Sequence, residues 1–161
     1  MEVSVQYLGG TKFEVAARNH RVICDQPLDN GGSDTGMSPP EFLLASLASC
    51  AAYYASQYLS ARNLPAQDLQ VRVSAEKRAQ PARLASFQIH VEIPSLDGRH
   101  QAGVLRAVKA CLIHNTLLGS PSIELAVHAG VFEKTPCNPQ PATIGISALN
   151  SESDLRTGRG S

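Results

Sequence analysis

The chain has 161 residues, and its 14 Lys and Arg residues balance 14 Asp and Glu residues, so the formal net charge is zero. A chain of this length fits one domain with a substantial apolar core. Basic residues form no block and tryptophan is absent. The composition therefore argues against binding to nucleic acid or to an acidic membrane, and against a base-stacking surface.

The N-terminal sequence and the cysteine content bear on location. Residues 1–5 lack the basic region and apolar segment of a secretory signal. Residues 42–61 carry no charge, but they are rich in Ala and Ser and too weakly hydrophobic for a membrane span, so they predict a buried helix. Four cysteines without a secretory signal predict a cytoplasmic protein whose thiols are reduced at rest.

Three short strands are predicted at the start of the chain. Residues 3–7 alternate between apolar and polar, Gly9-Gly10 is a strong hairpin signal, and residues 12–17 supply the partner strand. Residues 20–24 predict a third strand. Residues 25–37 are rich in Asp, Gly, Asn and Pro and predict a loop, whose length is typical of functional or mobile segments.

A long helix is predicted to begin after Ser38. Ser38 suits the N-cap, Pro39 suits the first helical position, and Glu41 completes a capping box. The helix is expected to end near residues 62–63, before Pro65. Apolar side chains recur along one face at helical spacing, at Leu43, Leu47, Cys50, Tyr54 and Tyr58.

The second half of the chain repeats this alternation of strands and helix. Residues 69–76 and 87–93 predict two paired strands, with a turn region at residues 78–84. A second helix is expected to carry Val104, Val108 and Cys111 and to stop near Gly119. Residues 122–129 alternate as a last strand.

The resulting order, β-β-β-α-β-β-α-β, groups the strands apart from the helices. It predicts an α+β fold in which antiparallel sheets pack with two main helices, and it excludes a doubly wound sheet. From residue 136 onward Pro, Asn, Gln, Ser and Gly dominate. We therefore expect one domain at residues 1–135 and a poorly ordered C-terminal tail at residues 136–161.

Cys50 and Cys111 are the candidate reactive groups, because each lies on the apolar face of a predicted helix. They are either inert core residues or a redox couple, in which a thiolate reacts and a second thiol captures the sulfenic acid. Glu41 also has two interpretations, as the capping-box residue or as a carboxylate that orients an arginine beside the thiolate. The sequence leaves both questions open.

A metal site is a weaker hypothesis. Cys111 and His114 are three residues apart on one helix face and resemble half of a zinc site, but no second close ligand pair completes it. Cys24 lies in a predicted strand and Cys137 in the tail, so both are expected to be incidental. No glycine-rich loop precedes a helix in the pattern that binds phosphate.

Two segments resemble the signatures of the OsmC/Ohr family of osmotically induced and organic hydroperoxide resistance proteins. GMSPPEFLLASLASC at residues 36–50 resembles the first signature, and KACLIHNTL at residues 109–117 resembles the second cysteine segment. The likeness covers about residues 1–130, and the predicted element order matches the family's α+β fold. EKRAQPARL at residues 76–84 is closer to the OsmC-like branch than to the well-characterised hydroperoxidases.

The resemblance implies an intertwined homodimer with active sites at the subunit interface. It implies that Cys50 attacks the peroxide O–O bond and that Cys111 resolves the sulfenic acid as a disulfide, which a dithiol such as a lipoyl group then reduces. This chemistry needs no metal or flavin. The alternative is a non-enzymatic protein on the same fold that binds a small molecule or lipid, with both cysteines as wall residues.

The sequence departs from the family pattern at two points. Leu112 follows the second cysteine, where family members often carry proline. The family's thiolate-activating arginine, which comes from an N-terminal strand or loop, has no assigned counterpart. The candidates are Arg18, Arg21, Arg78 and Arg83.

Overall fold

The computed structural model describes residues 1–130, and its first element is a three-stranded antiparallel sheet. The strands are β1 (Ser4–Gly9), β2 (Lys12–Ala17) and β3 (His20–Cys24), in the order β1-β2-β3. The predictions for β2 and β3 are confirmed. The strand β1 runs on to Gly9, where a shift in register and the positive φ of Gly9 and Gly10 make the hairpin turn.

Helix α1 (Pro39–Ser60) is the central element of the described residues. It begins as predicted, with Ser38 at the N-cap and a complete capping box with Glu41. Its fully buried residues recur every fourth position, at Leu47, Ala51, Ala55 and Leu59. The two alanines in this stripe let neighbouring elements approach closely, and α1 packs against α2, α3, β4 and β5, which are defined below.

The next two strands form an antiparallel hairpin of their own. They are β4 (Gln70–Ala79) and β5 (Ala82–Glu92), and both extend further than predicted. The predicted turn at residues 78–84 contracts to Gln80 and Pro81, because cross-strand pairing continues to Ala79 and Ala82. The inner face of this hairpin carries Val71, Ile89 and Val91 against the core.

The predicted second helix is wrong as a single element. The chain forms α2 (Gln101–Lys109) and α3 (Leu112–Leu118), separated at Cys111. Cys111 has φ −57° and ψ 129°, which is not helical, and it serves as the N-cap residue of α3. The last turn of α2 tightens into hydrogen bonds three residues apart, from Ala110 to Ala107 and from Cys111 to Val108, and this ends the helix.

The predicted last strand at residues 122–129 is also wrong within the described residues. Residues 120–129 have no regular secondary structure, and the two sheets of residues 1–130 contain only β1–β3 and β4–β5. Apolar side chains alternate there as predicted, but they remain in solvent, with Ile123 88% and Leu125 89% exposed. Without a neighbouring strand to pair with, alternation alone does not form a sheet.

The element order is therefore β-β-β-α-β-β-α-α, and the predicted α+β class with antiparallel sheets is confirmed. Residues 1–127 form one unit, and a second begins at His128. The predicted tail at residues 136–161 lies outside the described residues. Among the helices of residues 1–130, none combines the length and hydrophobicity that crossing a bilayer requires.

The apolar core lies between α1 and its neighbours, and the N-terminal sheet contributes little to it. The buried cluster consists of Ala51, Ala55, Leu59, Val104 and Val108. By contrast, apolar side chains of the β1–β3 sheet are exposed: Val5 by 60%, Tyr7 by 63% and Val22 by 47%. Apart from the pairing of neighbouring strands, the main contacts between elements of residues 1–130 connect α1 with α2, α3, β4 and β5.

Candidate active site

The structure brings the Cys50 and Cys111 thiols into contact, although they are far apart in sequence. Cys50 lies in α1 and is partly exposed, whereas Cys111 is fully buried at the start of α3. Both are free thiols that share a hydrogen bond. The packing of α1 against α3 therefore creates the pair that the sequence could only place on separate elements.

The surroundings of Cys111 favour its protonated form. Burial raises the pKa of the Cys111 thiol, and its hydrogen bond to Cys50 raises it further. The backbone N–H groups of His114 and Ile113 act in the opposite direction, because they point toward the sulfur from the first turn of α3. Burial and the interaction with Cys50 therefore both favour the thiol form of Cys111 over its thiolate.

An apolar groove of about 700 Å³ runs between α1, β5 and α3. Its walls are mostly aliphatic and aromatic, with two basic groups among them: Leu43, Leu47, Arg83, Leu84, Phe87, Ile89, His114, Leu117 and Leu118. The volume suits an alkyl or aryl ligand.

The two cysteines are not among the residues that line the groove, but each lies close in sequence and on the helix to a residue that does. Leu43, Leu47 and Cys50 are spaced by four and three residues, so they share one face of α1. Cys111 precedes the wall residue His114 by three positions at the start of α3. Each cysteine therefore lies about one helical turn from a residue that lines the groove.

Glu41 caps α1 and does not face Cys50 within the described chain. Its Oε2 accepts hydrogen bonds from the Ser38 N–H and the Ser38 hydroxyl, each at 2.7 Å. These bonds lower the pKa of the Glu41 carboxyl, and the charge of Lys77 adds a smaller effect. Nine residues separate Glu41 from Cys50, which is about two and a half helical turns, so they project from opposite sides of α1.

The part of the sequence that forms the site matches the profile of a known protein family. The family profile described as OsmC-like protein matches residues 31–126, which include Glu41, Cys50 and Cys111. The chain belongs to the OsmC-like protein family. No curated protein sequence matches it significantly.

Solved structures of related fold support the same architecture for this OsmC-like protein. A candidate osmotic stress induced and detoxification response protein from Psychrobacter arcticus 273-4 matches with a TM-score of 0.65 and 23% identity, over 71% of this chain and 85% of the other. An OsmC-like protein from Mycoplasma pneumoniae has a TM-score of 0.63 and 21% identity, over 73% and 86%. An organic hydroperoxide resistance protein, OsmC, from Legionella pneumophila has a TM-score of 0.57 and 16% identity, over 74% and 90%.

The structure separates the four arginines that the sequence offered as thiolate activators. Arg21 pairs with Glu14 on neighbouring strands, and Arg78 pairs with Glu76. Exposed Arg18 lies in the turn before β3. Arg83 is the one of the four that lines the groove, where its guanidinium also donates to the Pro81 carbonyl at 3.4 Å.

Cys111 and His114 of the OsmC-like protein resemble half of a zinc site in their sequence spacing. His114 lines the groove, and its Nδ1 lies 3.3 Å from Oδ1 of Asn115. Within residues 1–130, no group of three or more His, Cys, Asp or Glu residues is arranged to hold a metal ion. Cys24 is buried at the end of β3, and Cys137 lies outside the described residues.

Sequence reasoning missed Asp25, which is fully buried in the loop before α1. Its two carboxylate oxygens accept hydrogen bonds from both ends of the loop and from the β1–β2 turn. The donors are the Thr11 hydroxyl, the Gln26 N–H, the Ser33 N–H, and the N–H and hydroxyl of Thr35. The predicted loop is therefore held by hydrogen bonds to one carboxylate, and the Asp with nearby Ser and Thr residues was the available sequence signal.

Proposed function

We propose that this OsmC-like protein is a cysteine-based peroxidase that reduces organic hydroperoxides to alcohols. The observation that carries the proposal is the contact between the Cys50 and Cys111 thiols beside an apolar groove. The name of the Legionella pneumophila structure, an organic hydroperoxide resistance protein, supports the same substrate class. A groove of aliphatic and aromatic walls accommodates the organic part of such a peroxide.

The different exposure of the two thiols supports the roles that we propose for them. Partly exposed Cys50 attacks the terminal oxygen as a thiolate, so that an S–O bond forms and the O–O bond breaks. The products are a Cys50 sulfenic acid and an alkoxide, which becomes the alcohol on protonation. Buried Cys111 then attacks the Cys50 sulfur, and the disulfide forms with release of water.

An external dithiol completes the proposed cycle. Thiol–disulfide exchange with a lipoyl-type dithiol restores both cysteines and oxidises the dithiol to its own disulfide. Glu41 is proposed to orient an arginine at the thiolate of a partner subunit, since it projects away from Cys50 of its own chain. The lipoyl-type reductant, the placement of Glu41 at a partner subunit and the activating arginine are all implied by the family resemblance.

A homodimer is part of the proposal. The exposed apolar residues of the β1–β3 sheet, such as Val5 and Tyr7, require a cover, and a second copy would supply it. The alternating residues Ile123 and Leu125 would gain a strand partner in the same way.

A second candidate function is non-enzymatic binding of an apolar small molecule or lipid. The groove supports it, because its walls suit such a ligand whether or not the thiols react. In that case the burial that raises the pKa of Cys111 would keep it an inert wall residue.

Thiol counting after a single addition of peroxide distinguishes the two functions. Reduced, folded protein is treated with one equivalent of cumene hydroperoxide, free thiols are titrated, and disulfides are mapped by mass spectrometry. The peroxidase predicts the loss of two thiols and a bond between Cys50 and Cys111. An unchanged thiol count would reject the peroxidase and leave ligand binding.

A further inference from the structure

One imidazole, that of His114, is among the described residues that line the groove. Among the described residues that line it, Arg83 and His114 are the two with basic groups, and the others are apolar. A guanidinium stays protonated under all ordinary conditions, so Arg83 supplies charge but no proton. An imidazole has two ring nitrogens that can each carry a proton, so His114 is the candidate proton donor of the groove.

The position of His114 suits proton donation into the groove. The residue is partly buried in the first turn of α3, and its backbone N–H points toward the Cys111 sulfur. Its Nδ1 lies 3.3 Å from the Asn115 Oδ1, an acceptor for a proton carried on Nδ1. The other ring nitrogen, Nε2, then remains for a ligand.

The proposed reaction creates a need for such a donor. When the Cys50 thiolate breaks the O–O bond of an alkyl hydroperoxide, the leaving group is an alkoxide, which is a strong base. An apolar groove stabilises this anion poorly, so proton transfer during bond cleavage lowers the barrier. Glu41 projects from the opposite side of α1 and does not reach this position within the chain.

We propose that His114 is the general acid of the reaction, a role that rests on the peroxidase function proposed above. The Cys50 thiolate takes the terminal OH of the peroxide, the O–O bond breaks, and the imidazolium form of His114 passes its Nε2 proton to the departing alkoxide. The products are Cys50 sulfenic acid, the alcohol and a neutral imidazole. Solvent returns the proton to His114, so atoms and charge balance over the step.

A pair of oxidants with different leaving groups tests this role. Cumene hydroperoxide releases an alkoxide that needs a proton, whereas peracetic acid releases acetate, which does not. The rate of Cys50 oxidation is measured for wild type and His114→Gln with each oxidant, by trapping the sulfenic acid and quantifying it by mass spectrometry. We expect His114→Gln to slow the cumene hydroperoxide reaction by about a hundredfold and to change the peracetic acid rate by less than about twofold.

Two controls separate acid catalysis from a structural effect. Alkylation of Cys50 by iodoacetamide needs no proton donor, so its rate should be the same in wild type and His114→Gln. His90→Gln replaces an exposed histidine of β5 that does not line the groove, and it should leave all three rates unchanged. Equal slowing of all three rates in His114→Gln would overturn the proposal, because it would indicate a distorted site.

The remaining outcomes distinguish this proposal from the function on which it rests. A fast wild-type reaction with cumene hydroperoxide that His114→Gln leaves unchanged would reject His114 as the acid and keep the peroxidase. The Cys111 thiol, which interacts with Cys50, would then be the next candidate for the proton source. A wild-type reaction no faster than that of free cysteine would reject both proposals.

Discussion

The two cysteines of the candidate site have unequal environments, and this inequality suits a two-step oxidation. An attacking thiol must meet the substrate, and Cys50 is partly exposed beside the groove. A resolving thiol must wait without reacting, and burial and the bond to Cys50 raise the pKa of Cys111. The same pair with both thiols exposed would offer two competing sites of oxidation.

Serine substitutions should therefore have different consequences at the two positions. Cys50→Ser removes the nucleophile and should abolish peroxide consumption, because a buried Cys111 thiol does not replace it. Cys111→Ser should react once and then proceed to the sulfinic acid with excess peroxide, since no thiol captures the sulfenic acid. Intact-mass measurements after peroxide treatment separate these products, and full activity of Cys50→Ser would contradict the assignment.

Asp25 shows how one residue holds a long loop in place. Every hydrogen-bond partner of its carboxylate is a donor, and these bonds outweigh burial and lower the pKa of the Asp25 carboxyl well below its usual range. The loop leads directly into Ser38 and α1. Capping by Ser38 and Glu41 was predictable from four consecutive residues, whereas the Asp25 cluster spans residues 11–35 and depends on the fold.

Replacing Asp25 should change both stability and its dependence on pH. Asp25→Asn turns an N–H group toward donors, so we expect the melting temperature at pH 7 to fall by about 5 °C or more. Because folding lowers the pKa, the wild-type carboxylate stabilises the fold above the unfolded value near 4 and loses that contribution as the pH falls further. The difference between wild type and Asp25→Asn should therefore narrow as pH falls below about 4.

Thermal unfolding monitored by circular dichroism at a series of pH values measures this difference. Asp29→Asn is the matched control, because Asp29 is an exposed carboxylate of the same loop. A difference between wild type and Asp25→Asn that stays constant from pH 7 to about pH 3 would contradict the ionic role of Asp25.

The break between α2 and α3 shows a limit of periodicity as a predictor of elements. Val104, Val108 and Cys111 keep helical spacing across the break, and Leu112 is a good helix former without the proline that often marks this point in the family. A single residue that leaves helical dihedral angles does not disturb such a pattern. The break between α2 and α3 depends on tertiary structure, since the change of direction at Cys111 accompanies burial of the thiol against α1.

The contact between α1 and α2 depends on the absence of a side chain at Gly103. Gly103 is buried in α2, and a Cβ there would lie 2.1 Å from Oη and 2.3 Å from Cζ of Tyr58 on α1. Tyr58 is held in turn by its hydroxyl, 3.2 Å from Nδ1 of His100. The tyrosine therefore has little freedom to move aside.

Gly103→Ala should destabilise the protein, although alanine is the better helix former. Relief of the clash requires the helices to separate, which costs about 1–3 kcal/mol in comparable overpacked cores and exceeds the gain of about 1 kcal/mol in helix propensity. Urea denaturation measures the change. The penalty should shrink in a Tyr58→Leu background, and a stabilised Gly103→Ala single variant would show that the contact is loose.

At the scale of the whole molecule, the sequence predicted strands from local pattern and failed where a strand needs a distant partner. The strands β2 and β3 were predicted well because tight turns connect consecutive pairs. Residues 122–129 have the same alternation but no adjacent strand within residues 1–130. The unpaired segment and one face of the β1–β3 sheet both carry apolar side chains that are exposed within residues 1–130.

The proposed homodimer makes a prediction about mass and about these surfaces. Light scattering after gel filtration should give twice the 17.1 kDa mass of the chain. Lysines in place of Ile123 and Leu125 should shift the protein toward the single-chain mass, because charged side chains oppose burial in an interface. Glu124→Lys is the control, because Glu124 lies between the two apolar positions in the alternating pattern, and it should leave the mass unchanged. A wild-type protein of single-chain mass would contradict the dimer.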